Sequence, residues 1–388
     1  MSVQAQSGET GDYGVTIPFT RSPRTERYLF EVYDGASAQG TPLFKGKELE
    51  ISVLGQMDIF LPLQYDLAGP HTYTLKITAL PMPGREGLDL AASQTKTFQT
   101  GLVSTCGHST ADGGFVLGAG TADDPYRVAS ARQLDHVRQH LSDNFLQVAH
   151  IDVGETYSAW EPIIGFTGSY DGDGWAIQNL SSKTLSYTYQ GYSRTASGLF
   201  GVCYNATLRG VCMYDYKSLD STARDAAALT ASLWGNTVVE ECCVHGAQVA
   251  GELAGGLVGD DNAQGGTLNV QIKNCYVKSV VVSSVGGRAY AGGLASAIND
   301  GDGGAIVNCY AVPTRLSGGL SRGGLEGLGR SPITGCFYLS NAAWNNGYGT
   351  PKTEAELKSA ATFTGWDTNI WEIKDGSYPT LKIERPLP

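Results

Sequence analysis

Asp260 and Asp261 stand side by side after Leu257-Val258-Gly259, and His245 precedes them in the same stretch of chain. Two carboxyl groups hydrolyse a glycosidic bond when one donates a proton and the other acts as base or nucleophile, at separations of roughly 5–9.5 Å. These three residues are the candidates for catalysis, set against the plainer reading of a polar turn after the glycine. His136 and His140, four apart on an expected helix, could share a metal ion. Val137 occupies the place where a zinc peptidase would carry its glutamate, so a solvated helix face accounts for the pair better. Asp171 and Asp173, in Asp171-Gly172-Asp173-Gly174, and the stretch Asn299-Asp300-Gly301-Asp302-Gly303-Gly304 have the oxygen-rich side chains and glycines of calcium loops. Neither continues with the glutamate at the twelfth loop position that completes such a site. No metal and no cofactor is expected.

Tyr187, Tyr189, Tyr192 and Tyr204 crowd one stretch of a chain with twenty tyrosines. They could stack on sugars or contact proteins, and they suit strands equally well. No nucleophile triad, phosphate loop or dinucleotide fingerprint is present. The net charge is −11, with no cluster of lysines or arginines, which argues against nucleic acid or an anionic membrane as partner. No apolar run approaches the ~20 residues of a membrane-spanning helix. Met1 to Gly11 is small and polar, without the basic and apolar segments of a secretory leader. Residues 1–11 are expected to be disordered, in a chain that starts after a processed leader and leaves any lipid anchor outside this sequence.

The elements that must position these residues are strands. Residues 12–101 read as a small β-sandwich with strands at Val15–Phe19, Tyr28–Tyr33, Leu49–Val53, Ile59–Leu63, Tyr73–Leu80 and Lys96–Thr100. Tyr73 to Thr78 alternates apolar and polar, as a strand buried on one face does. Residues 102–119, rich in Gly, Ser, Thr and Ala, read as a linker. A helix follows at 130–141, with Ser130 and Gln133 at capping-box spacing and Leu134, Val137 and Leu141 on one side. A second capping box, Thr353 with Glu356, opens a short helix to Ala361.

Between the two helices the chain repeats itself. A small-residue turn carries a leucine at Leu199, Leu233, Leu257, Leu294 and, loosely, Leu325. An apolar strand carries a cysteine at Cys212, Cys243, Cys275, Cys309 and Cys336, at intervals of 31, 32, 34 and 27 residues. A unit of about 30 residues with short strands cannot bury its own apolar side chains, so copies must stack. Stacking would pile the leucines and cysteines into internal columns, as thiols rather than crosslinks. The expected architecture is an all-β chain, an N-terminal β-sandwich followed by a right-handed parallel β-helix over 120–388. The helix at 130–141 and the segment from Thr353 to Lys382, with Trp366 and Trp371 as packing residues, would cap its ends.

These residues resemble the GLUG-repeat family, named for its Gly-Leu-x-Gly signature. The resemblance rests on Gly198-Leu199-Phe200-Gly201 and its copies. It also rests on Gly120 to Val128, on Phe166-Thr167-Gly168-Ser169-Tyr170-Asp171-Gly172-Asp173-Gly174 with Ile177-Gln178-Asn179-Leu180, and on Ser377-Tyr378-Pro379-Thr380-Leu381. The first domain is similar, more distantly, to fimbrillin-like or immunoglobulin-like sandwiches. The resemblance implies a cell-surface, outer-membrane or secreted protein of Bacteroidetes type, an adhesin or binding protein for a glycan or a host or bacterial surface protein. It implies no shared active site. The alternatives are a polysaccharide lyase or hydrolase with carboxylates along the coils, and a structural stalk or fimbrial component. For the enzyme, the order of Asp260-Asp261 and His245-Gly246 is the reverse of the polygalacturonase pattern, and Val244 stands where that pattern has a glycine.

Overall fold

A computed structural model describes residues 4–5, 14–23, 25–52, 54–62, 71–81, 92–100, 104–261, 269–287, 289–298, 304–329, 331–341 and 344–387. The chain is all-β and forms two compact units, Met1–Leu117 and Gly118–Pro388. Among the described residues no helix is long and apolar enough to cross a membrane.

The first unit holds two antiparallel sheets. One orders Gln4–Ala5, Gly14–Thr20 and Gln56–Pro62; the other orders Phe44–Glu50, Arg27–Asp34, His71–Ala79 and Ala92–Thr100. Phe19 of the first sheet packs edge-on against Tyr28 and Phe30 of the second, with centroids 4.9 and 5.3 Å apart. The strand expected at Leu49–Val53 runs earlier, over Phe44–Glu50, because antiparallel pairing sets Glu50 opposite Arg27 and Phe44 opposite Val32. Of residues 1–11, expected to be disordered, Gln4–Ala5 pair with Val15 and Thr16; the others lie outside the described residues. The expected linker is ordered over 104–117. It carries a 3-10 turn, Thr110–Asp112, capped by Ser109, and a fully buried Phe115.

The second unit is a solenoid of parallel sheets with four faces. One complete coil runs through Thr207–Arg209 (face 1), Cys212–Ser218 (face 2), Asp225–Ala227 (face 3) and Thr230–Trp234 (face 4). The next coil repeats the circuit at Val238–Glu240, Cys243–Gly251, Leu253–Gly255 and Val258–Asp261, each strand parallel to its predecessor. Side chains alternate across each strand. On face 1, Tyr170, Leu208, Val239, Ile272 and Ile306 therefore form one buried column. On face 2, Met213, Val244, Val277 and Ala311 form another.

The corner between faces 1 and 2 explains the cysteine signature. The chain turns there at Gly210, Glu241, Asn274, Asn308 and Gly335, all with φ between 52° and 63°. Only glycine and, less readily, asparagine visit that left-handed region without a cost of about 1–2 kcal/mol. The next residue is held inside the corner: Val211, Cys242, Cys275, Cys309 and Cys336. The sulfurs of Cys275, Cys309 and Cys336 each accept the N–H of the preceding column member at 3.3–3.5 Å. The four thiols donate to the carbonyls of Glu240, Lys273, Val307 and Thr334. A small side chain that both accepts and donates suits this corner, where each thiol adds a second donor to a carbonyl that already accepts an N–H of the preceding coil.

Three column members, Cys212, Cys243 and Leu233, differ from expectation. Cys242, not Cys243, belongs with Cys275, Cys309 and Cys336, and Cys212 and Cys243 pair with Tyr276, Tyr310 and Phe337 on the opposite side of face 2. Adjacent residues of a strand point to opposite sides, and a count of spacing cannot choose between Cys242 and Cys243. Similarly, the buried leucine corner is Leu199, Leu229, Leu257, Leu294 and Leu325, linked by backbone bonds from coil to coil. Leu233 instead lies opposite Cys203 and Asp261 on face 4.

The helix near the start of the solenoid is shorter than expected, Ala131–His136 followed by a 3-10 turn, Val137–Gln139. Ser130 caps Gln133 N–H, while the Gln133 side chain accepts from Ala129. The capping box of Thr353 and Glu356 is complete and opens Glu354–Leu357. The segment after it is not an end cap. Leu357, Phe363, Trp366, Trp371 and Leu381 pack on Cys212, Cys243, Tyr276 and Tyr310, so this strap runs along the outside of face 2 across successive coils. Tyr310 donates to Pro379 O at 2.5 Å, Trp366 to Gly335 O and Trp371 to Asn274 Oδ1.

Candidate ligand-binding site

On face 3 the chain makes a hairpin before joining the stack. Leu185–Tyr189 pairs antiparallel with Tyr192–Ser197 through a two-residue turn, Gln190-Gly191, with φ of 47° and 82°. Positive φ at both central positions is the turn whose twist matches a hairpin. Only the end of Tyr192–Ser197 continues into the parallel ladder, at Ala196 and Ser197, so the rest of the hairpin projects. Tyr189, Tyr192 and Tyr204 gather round Trp234, with Tyr189 5.5 Å and Tyr192 5.9 Å from the indole.

Beside this hairpin lies a cavity of about 570 Å³ lined by Ser186, Tyr187, Thr188, Ser193, Arg194, Thr195 and Arg224. Four hydroxyl side chains, a phenol and two guanidinium groups surround it. The Tyr187 hydroxyl is buried without a hydrogen-bond partner, an arrangement that native structures rarely leave unexplained.

Behind the arginines sit two carboxylates from successive coils. Arg194 Nη1 lies 3.4 Å from Asp225 Oδ2 and 3.3 Å from Asp260 Oδ2. Arg224 Nη1 lies 3.2 Å from Asp225 Oδ1 and 3.7 Å from Asp260 Oδ2. Burial pushes both carboxyls above the ordinary range, for Asp260 with added repulsion from Asp225 and Asp261, while the arginines pull the other way. The Asp225 side chain is wholly buried and that of Asp260 is 7% exposed, against 37% for Arg224. What faces the cavity is cationic and hydroxylic, with the acids sealed behind.

The residues singled out by sequence are dispersed. Asp260 and Asp261 end a buried face 4 strand rather than forming a polar turn, and Asp260 joins the arginines. His245 lies on face 2, stacked on Tyr214 at 4.5 Å and hydrogen-bonded to Tyr276; it takes no part with the aspartates. Asp171 pairs with Arg209 at 3.1 Å, and its other oxygen accepts Asp173 N–H; Asp173 pairs with Arg385. These carboxylates therefore face arginines, not a shared cation position. That turn also docks the strap, since Gly174 O accepts Arg385 N–H at 3.0 Å. Residues 299–303 of the second calcium candidate lie outside the described residues. His136 and His140 are not on a solvated face: His136 is buried, and His140 meets Asp143 at 3.1 Å. Sequence reading missed Arg194, Arg224 and Asp225. Its available signal was a charged pair set directly before the apolar run Ala226-Ala227-Ala228-Leu229.

No family model and no curated protein matches the chain. Among solved structures, a candidate immunoglobulin A1 protease from Bacteroides ovatus is similar at 20% identity and a TM-score of 0.47, over 69% of this chain and 95% of that one.

Proposed function

We propose that this is a non-catalytic binding protein exposed on, or secreted from, a bacterial surface, and that it takes a glycan in the hairpin cavity. The observation that carries this is the cavity itself. Its hydroxyl, tyrosine and arginine lining offers polar contacts in several directions beside aromatic faces, which suits a polyhydroxylated ring. The sealing of Asp225 and Asp260 behind the arginines supports a non-catalytic role, since no carboxyl is among the described residues that line the cavity. The parallel coils support the part of this reading that the sequence resemblance implies, a right-handed parallel β-helix of GLUG type, with a β-sandwich as the other unit.

Screening the full chain on a glycan array, followed by calorimetry, tests the reading. Arg224→Ala should weaken binding at least about tenfold, the worth of a hydrogen bond to a ligand. Absence of glycan binding at millimolar concentration, or self-assembly into filaments without ligand, would remove it.

The raised Asp260 carboxyl favours one second reading, a glycosidase acid uncovered when the arginines move. Release of reducing sugar from uronate polymers, lost in Asp260→Asn, would put this reading in place of the first.

A further inference from the structure

Where the strap crosses face 2, three side chains with metal-ligating atoms converge, and a fourth stands beside one of them. The sulfurs of Cys212 and Cys243 and a carboxylate oxygen of Glu384 all lie within 4.8 Å of one another. Cys212 and Cys243 sit in register on neighbouring strands and are fully buried. His245, two residues beyond Cys243, therefore projects from the same side of the strand, and its Nε2 is 3.4 Å from Glu384 Oε2. We propose that Cys212, Cys243, His245 and Glu384 form a zinc-type metal site that staples the C-terminal strap to the solenoid.

The donor set is two thiols, an imidazole and a carboxylate, the borderline-soft mixture that favours a tetrahedral divalent ion. Donors around such an ion are roughly 3.5–4 Å apart, so side-chain rotations suffice to close the site. Glu384 is already oriented, because its Oε1 accepts from the Tyr276 hydroxyl at 2.6 Å and from Leu381 N–H at 2.7 Å. An outer contact of this kind fixes a ligand before the ion arrives. Lys278, with its ammonium 4.8 Å from the Tyr276 ring centroid, stands nearby to offset the anionic ligands. Binding converts both thiols to thiolates and releases their two protons to solvent. His245 is the partly exposed member, with 22% of its side chain accessible, and marks the route of entry.

The column thiols serve as an internal control, since Cys309 is equally buried but hydrogen-bonds to the corner backbone. The full chain is stripped with chelator under reducing conditions, reloaded with Zn²⁺, dialysed and assayed for metal. The site predicts about one equivalent per chain, with Cys243→Ser and Glu384→Gln each weakening binding at least about 100-fold and Cys309→Ser leaving it intact. Trypsin should also cut after Lys382 about tenfold faster in the stripped chain than in the loaded one. Cobalt added to the wild-type chain provides a readout independent of any variant's folding, through thiolate-to-metal charge-transfer absorption. Less than about a tenth of an equivalent of zinc, or no such absorption, would overturn the site. So would equal affinity in Cys243→Ser and the wild type, or a Cys212–Cys243 disulfide in the reloaded chain.

Discussion

Asn308 holds a left-handed corner at φ 52° and is followed by a thiol sealed in the interior. Asn308→Ala should lower stability by about 1 kcal/mol, read as a shifted urea midpoint with unchanged slope, because alanine gains nothing at that φ to offset its Cβ. Glu241 occupies the same corner one repeat before Asn274 without the asparagine advantage, and its carboxylate is held 3.1 Å from Arg209. Glu326 is a second residue out of keeping with its place. It is buried on face 4; Oε1 accepts Ile298 N–H at 2.8 Å, and Oε2 has no hydrogen-bond partner. Burial pushes its carboxyl from 4.5 up to about 8. Between those values the unfolded chain gives up a proton that the folded chain keeps, so stability falls as pH rises from about 4.5 to 8. Glu326→Gln should remove that slope, leaving the variant about 3.5 kcal/mol better relative to wild type at pH 8 than at pH 5 in paired denaturation curves.

The strap is the element least legible in sequence. Its capping box at Thr353 was plain, and so was the packing character of Trp366 and Trp371. Its place along face 2, rather than across the end of the stack, depends on which side of that face is left apolar. Cys212, Cys243, Tyr276 and Tyr310 form that side, and the strap covers it. Trp371→Ala should cost about 3–5 kcal/mol, the usual loss for a buried tryptophan, and should expose the strap to limited proteolysis before global unfolding. The hairpin behaves differently. Its three tyrosines were visible as a cluster with Tyr204, but the arginine–aspartate layer behind it unites strands 31 to 66 residues apart, and no local pattern announces that.

Across the whole molecule, each coil of the solenoid pairs with the coil before and the coil after it. A defect in one coil should therefore be felt mainly by those two. Leu257→Ala, at the buried corner between Leu229 and Leu294, should cost about 2–5 kcal/mol. Hydrogen-exchange protection should drop first in the strands Asp225–Ala227, Leu253–Gly255 and Tyr290–Gly292; a uniform loss over the unit would contradict coil-by-coil coupling. Repetition, strand content and the glycine or asparagine before Cys275, Cys309 and Cys336 were set by sequence alone, because period, β-propensity and left-handed φ are properties of short segments. The choice of Cys242 over Cys243, of Leu229 over Leu233, and the meeting of Glu384 with Cys212 were decided only in three dimensions. Strand alternation reverses with a shift of one residue, and a strap can reach any apolar face that the coils leave uncovered.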